Sequence, residues 1–242
     1  GCGAITHEHA EYLRDKYLRV PLKGLGKMKL YHGSRNENII LTYGLGNEKH
    51  DFGKGFYLTD SLQLAKEWAV AANPFDKGWV HTYELDCQDL AMYDFASDES
   101  DYLPWMAELM KHRAGDDGRY YRESAPKFIA KYGVNIDPYD VIRGYRADAS
   151  YFYICKSFVR NNIGVSFLRT LLHLGEFGLQ YVLKSEKAFA AIREIESEKI
   201  AVSPEEFHKQ YNLRDSSARA KMYELIEDDP RNDLSRTFKD LI

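Results

Sequence analysis

The sequence predicts an α+β fold: scattered short strands with helical insertions between them, closed by a helical C-terminal appendage. Two observations carry the class. Three short runs, MKLYHGS (28–34), WVHTYELD (79–86) and LQYVLKS (179–185), have the length and alternating character of strands. Between them lie segments with helical spacing, LQLAKEWAVAA (62–72), the helical material within 95–133, and VSFLRTLLHLG (165–175).

Taken in order, residues 1–27 form a lead-in segment, in which the helical patch HAEYLRDKYLRV gives way to PLKGLGK and its breakers Pro21, Gly24 and Gly26. MKLYHGS is the first strand of the core and delivers His32 to a loop mouth. A short helical or turn segment around Ile39 to Leu41 is then broken by Gly44 and Gly46. The run DFGKGFYLTDS (51–61) places two glycines and two aromatics on a tight strand, and Asp60 or Ser61 serves as N-cap of the Ala- and Leu-rich helix that follows. YLPWMAELMKHR and PKFIAKYG read as amphipathic helices, the second stopped by Gly133. Val141 and Ile142 mark a short buried strand before Gly144. Phe167, Leu168, Leu171, Leu172 and Leu174 make the apolar stripe of the 165–175 helix. From about Ala201, SPEEFHKQY and SSARAKMYELIEDDP read as two polar-faced helices, the first opened by Ser203-Pro204. The organisation is a lead-in of 1–27, a main domain of 28–196 and an appendage of 197–242.

A chain of 242 residues, 44% hydrophobic, buries a sizeable core. Its formal charge of −4 supplies no global positive field for nucleic acid, although a local basic patch stays compatible with it. Cys2, Cys87 and Cys155 fit neither a disulfide framework nor a paired zinc motif, so a reducing compartment is the default and the cytoplasm the expected location. His7 and His9 in THEH lie at a ragged terminus and are read as structural or tag-like, so no metal is implied. No run approaches the ~20 apolar residues that span a bilayer, and no membrane association is expected.

Three distant segments hold the chemistry: LYHGS (30–34), FGKGFYLTDSLQLAKEWA (52–69) and LQYVLKS. Together they offer a histidine, a backbone-exposing glycine, a tyrosine, a tryptophan one helix later and a glutamine. That set suits a flat, amide-bearing ligand: aromatics stack on its ring, a glycine lets the backbone reach a carboxamide, and His and Gln bind ribose hydroxyls.

These motifs, in this order, resemble the catalytic domain of the poly(ADP-ribose) polymerases and their bacterial ADP-ribosyltransferase relatives, the branch with a His, a Tyr and a Glu on three strands. The likeness is specific at HGS and GKGFYLTD, weaker at LQYVLKS, and covers residues 28 to about 195. It implies a split β-sheet core and NAD as substrate. His32 and Ser34 would meet the adenosine-side ribose, the Gly33 backbone would clamp the nicotinamide carboxamide, and Tyr57 and Trp68 would stack on nicotinamide. Trp68 reads equally well as an ordinary core residue.

Two positions depart from the family pattern. Ala65 stands where many relatives have a serine that also holds the carboxamide, a loss of about 1 kcal/mol. Gln180 stands in place of the catalytic glutamate; it can accept a ribose hydroxyl but carries no counter-charge. Glu176 and Glu186 flank that strand and read as surface carboxylates. The resemblance therefore implies a mono-ADP-ribosyltransferase, with His32, Tyr57 and Gln180 at the reacting centre. It releases nicotinamide and passes ADP-ribose to a macromolecular acceptor, protein or nucleic acid. A bacterial toxin or effector role, delivery into a target cell, and an antitoxin or other protein partner belong to the same implication. Two alternatives stay open: a catalytically weak or inactive module that binds NAD or ADP-ribose, and an interaction protein acting through its C-terminal helices.

Overall fold

The computed structural model describes residues 19–21, 26–71, 75–97, 102–112, 118–147, 149–173 and 178–242. Along the chain these form β1 (Arg19–Pro21), β2 (Lys27–Ser34), β3 (Phe56–Leu58), α1 (Leu62–Ala71), β4 (Gly78–Asp86), β5 (Ala91–Asp94), α2 (Tyr102–His112), α3 (Gly118–Tyr132), β6 (Val141–Tyr145), α4 (Ala149–Val159), α5 (Val165–His173), β7 (Leu179–Leu183), α6 (Glu186–Ala190), β8 (Ile192–Glu194), β9 (Ile200–Val202) and α7 (Pro204–Asp228). The lead-in histidines, Cys2 and Glu176 lie outside the described residues.

The class is α+β, and the strands divide between two sheets. One has the order β1-β5-β6-β7-β3; the other has β2-β4-β8, with β9 also on β4. All pairings are antiparallel except β5 with β6. The sheets touch where Tyr31 of β2 bridges Thr59, just beyond β3.

Strand β4 is buried on both faces along most of its length, which is why the alternation in WVHTYELD shows no obvious inward side: Val80, His81, Thr82, Tyr83 and Leu85 are all buried. Leu30, Leu58, Tyr83, Leu85, Tyr181 and Leu183 fill the space between the sheets. Trp105, Phe128, Phe158, Phe167 and Val182 belong to a larger core built from α2 to α5 over the other face of the first sheet. Ala65, Ala69, Val80 and Val202 form a small third core beneath α1.

The C-terminal segment departs from the expected pair of polar helices. It is one 25-residue helix, α7, followed by a returning tail. Met222 is buried, and the tail inserts Phe238 and Leu241 into the large core, with the Phe238 ring centroid 5.0 Å from that of Phe128 and 5.6 Å from that of Phe158. The segment's apolar residues are few, but these three are almost wholly buried, so its end is core rather than appendage. Cys87 and Cys155 are both buried. Among the described residues no helix is long and apolar enough to cross a membrane, and no cluster of His, Cys, Asp or Glu could hold a metal ion.

Candidate functional site

The site is built around a place where the two sheets part. Tyr31 and Thr59 exchange both backbone hydrogen bonds, at 2.8 and 2.9 Å. Strand groups alternate in direction, so the N–H and C=O of Gly33 point to the same edge as those of Tyr31. The next pair along that edge would be Gly33 with Tyr57, and it is not made. No bond to the Gly33 main chain closes this edge among the described residues. His32 spans the gap instead, with Nδ1 donating to the Tyr57 carbonyl at 2.7 Å. A carbonyl only accepts, so Nδ1 holds the proton and Nε2 keeps its lone pair. Burial pushes the His32 imidazole down to about 4, the Tyr57 bond pulling it up and His81 adding to the drop. His32 is therefore neutral at pH 7.

Helix α1 forms one wall. The Ser61 hydroxyl caps it, accepting from the Leu64 amide at 3.2 Å. The helix lies so close to β2 that a Cβ on Gly33 would sit 2.0 Å from the Ala65 carbonyl oxygen and 2.8 Å from Trp68 Cβ. Glycine at 33 is required by this approach alone. Ala65 is fully buried in the small core under α1. Trp68 is half-buried beside Gly33, with the Arg146 guanidinium 5.3 Å from its ring centroid and its indole Nε1 buried without a hydrogen-bond partner.

The Tyr57 hydroxyl is occupied: it donates to the Gly53 carbonyl at 2.7 Å and accepts from the Phe52 amide at 3.0 Å. It thus anchors the tight turn of DFGKG, in which Gly53 adopts φ +70°. Lys184 ties the same turn from the β7 side, donating to the carbonyls of Phe52 (2.7 Å) and Lys54 (2.5 Å); burial holds its ammonium below the usual lysine range. A cavity of about 450 Å³ adjoins this turn, lined in part by Lys184 and by Glu108, whose carboxylate is already bonded to Lys111 and His112.

Gln180 is 3% exposed and pairs with Gly144 across β6 and β7. By strand alternation it shares a face with Tyr57, whereas the His32 ring lies on the other face against Phe56, centroids 4.6 Å apart. His32 and Tyr57 are thus brought together through the Tyr57 backbone, and Tyr57 and Gln180 through the 51–53 turn. No contact between His32 and Gln180 is present among the described residues. The Ser34 hydroxyl accepts from the Asn36 amide at 3.1 Å and shapes the turn after β2. Glu186 is exposed at the start of α6.

Three neighbours of the site escaped sequence reasoning. Asp51, 4% exposed, accepts the Gln180 amide at 2.9 Å. Arg146 covers Trp68. His81 is the register partner of His32 and is fully buried, its Nδ1 2.6 Å from Glu194 Oε1 and its Nε2 2.9 Å from the Asn36 carbonyl. Asp51 heads the DFGKG motif, and that position was its one available signal.

The sequence matches a family model described as "Protein of unknown function (DUF3990)" over residues 28–193. No curated protein matches it. A solved structure, the crystal structure of the M. tuberculosis MbcT-MbcA toxin-antitoxin complex, is similar over 80% of this chain and 90% of that chain, with 12% identity and a TM-score of 0.34.

Proposed function

The chain belongs to the DUF3990 family of proteins of unknown function, and we propose that it is an NAD-dependent mono-ADP-ribosyltransferase of the His-Tyr-Glu type, with glutamine at position 180. The observation that carries this reading is the open main-chain edge of Gly33 at the parting of β2 and β3. A primary carboxamide offers one acceptor and one donor in a plane, the complement of one residue's N–H and C=O on a strand edge. Nicotinamide bound there lies between Trp68 and Tyr57, as the motif resemblance implies. His32, neutral and with its Nε2 lone pair unused among the described residues, accepts from a ribose hydroxyl, and Gln180 Oε1 accepts from another.

In the reaction the bond from ribose C1′ to the pyridinium nitrogen breaks, its electron pair passing to the ring, and nicotinamide leaves neutral. The oxocarbenium-like C1′ then bonds to a nucleophile on the macromolecular acceptor, whose proton is released to solvent. With no carboxylate at 180 to activate a sugar hydroxyl, the product is a single ADP-ribose rather than a polymer. A toxin or effector role with a protein partner belongs to this same reading.

The test is incubation of the purified chain with labelled NAD and a lysate. Label transfer is expected to disappear in a folded Tyr57→Ala variant, with circular dichroism as the control; a signal unchanged in that variant overturns the assignment. A second reading, a module that binds NAD without turnover, is favoured by the uncharged side chain of Gln180. Steady nicotinamide release that is abolished by His32→Ala rejects it.

A further inference from the structure

The two protons on Gln180 Nε2 are both spent on acceptors: Asp51 Oδ2 at 2.9 Å and the Tyr145 carbonyl at 3.1 Å. Neither partner can donate in this arrangement, so the sense of the amide is fixed, with nitrogen toward Asp51 and oxygen away from it. Gln180 Oε1 has no protein partner among the described residues. Asp51 is itself held in place, because the same Oδ2 accepts from the Ala147 amide at 2.9 Å. A carboxylate therefore stands one hydrogen bond behind the residue that occupies the family's glutamate position.

We propose that Asp51 is the positioning residue of this site: it aims Gln180 Oε1 at the ribose of bound NAD and places its own negative charge behind the amide. The proposal rests on the ADP-ribosyltransferase reading above. A hydrogen bond from the amide to a carboxylate pushes electron density toward Oε1, and in a buried setting such polarisation is strong. Oε1 then meets the positive charge that grows on the ribose as the bond to nicotinamide breaks, and the carboxylate adds a direct Coulombic share. Transfer remains the substitution already written; Asp51 neither gains nor loses a proton in it. The pairing also accounts for the absence of a glutamate at 180, since two carboxylates at this separation could not both stay ionised.

The test uses the full chain and three variants, Asp51→Asn, Gln180→Glu and the double exchange. Asparagine at position 51 keeps an oxygen for the Gln180 and Ala147 bonds and removes the charge. The affinity of this variant for NAD, read by calorimetry, is expected to stay within about threefold of wild type, while kcat for nicotinamide release falls by roughly 100-fold. Gln180→Glu alone faces Asp51 and is expected to lose activity more steeply as the pH rises. In the double exchange the amide placed at position 51 turns its nitrogen to donate to the carboxylate placed at position 180, at the cost of the bonds from the Ala147 amide and to the Tyr145 carbonyl. The charge is thereby restored one position forward, and kcat is expected to recover at least about tenfold over Asp51→Asn. An Asp51→Asn variant with wild-type kcat overturns the proposal. So does a loss of binding and turnover in equal measure with no recovery in the double exchange, which would mark a purely structural carboxylate. Failure of the underlying reading is visible separately, as wild-type protein that neither binds NAD nor releases nicotinamide.

Discussion

His32 makes the stability of the fold depend on pH in a calculable way. In an unfolded chain its imidazole titrates near 6.5, and in the folded protein, largely through burial, near 4. Between those values the unfolded state binds more protons, so stability rises with pH across the window. The contribution is complete above 6.5 and is lost as pH falls through 4. The gap corresponds to about 3 kcal/mol, or roughly 6 to 12 °C in melting temperature for a chain of this length. The perturbation that isolates it is His32→Gln, which cannot titrate. Urea denaturation of both proteins at pH 7, 6, 5 and 4 gives the difference in unfolding free energy at each pH. Groups that do not interact with position 32 contribute to both proteins and cancel. The advantage of wild type over the variant is expected to shrink by about 3 kcal/mol from pH 7 to pH 4. A difference that stays constant would refute the half-buried, neutral histidine, and with it the lone pair assigned to Nε2.

Two further predictions concern packing. Gly33→Ala puts a methyl group 2.0 Å from the Ala65 carbonyl oxygen and must displace α1, costing about 2 to 3 kcal/mol and lowering the melting temperature by roughly 5 to 10 °C; a melting curve superimposable on wild type would mean that the helix gives way freely. Phe238→Ala empties the site between Phe128 and Phe158 and is expected to cost about 3 to 5 kcal/mol in urea denaturation, whereas a loss under about 1 kcal/mol would return the tail to the status of an appendage.

Local pattern carried much of the fold. MKLYHGS and LQYVLKS alternate as strands should and correspond to β2 and β7, and Ser61 caps α1 as its chemistry indicates. The failures have physical causes. Helix α4, ASYFYICKSFV, is apolar along most of its sequence and offers no polar periodicity by which to recognise it. SPEEFHKQY and SSARAKMYELIEDDP read as two helices, but Ser216 turns its hydroxyl back onto the Leu213 carbonyl at 3.0 Å and one helix runs through both. For the proposed site, the sequence names His32, Gly33, Tyr57 and Gln180 as candidates, and their spatial relations are not contained in it. The open edge of Gly33 depends on the register of β2 against β3, and the partner of Gln180 lies 129 residues away along the chain. Neither quantity is encoded in any local window.

The parting of β2 and β3 has a consequence for how such a protein diverges. Its donor and acceptor at Gly33 belong to the peptide chain itself, so drift in neighbouring side chains leaves them intact. Proline at 33 would remove the donor and leave the acceptor, and a shift of the strand would move both. Under the proposed reading, a recognition edge of this kind would tolerate an alanine at 65 and an amide at 180. Relatives that keep this bend in the backbone can be recognised by it after their sequences have ceased to agree.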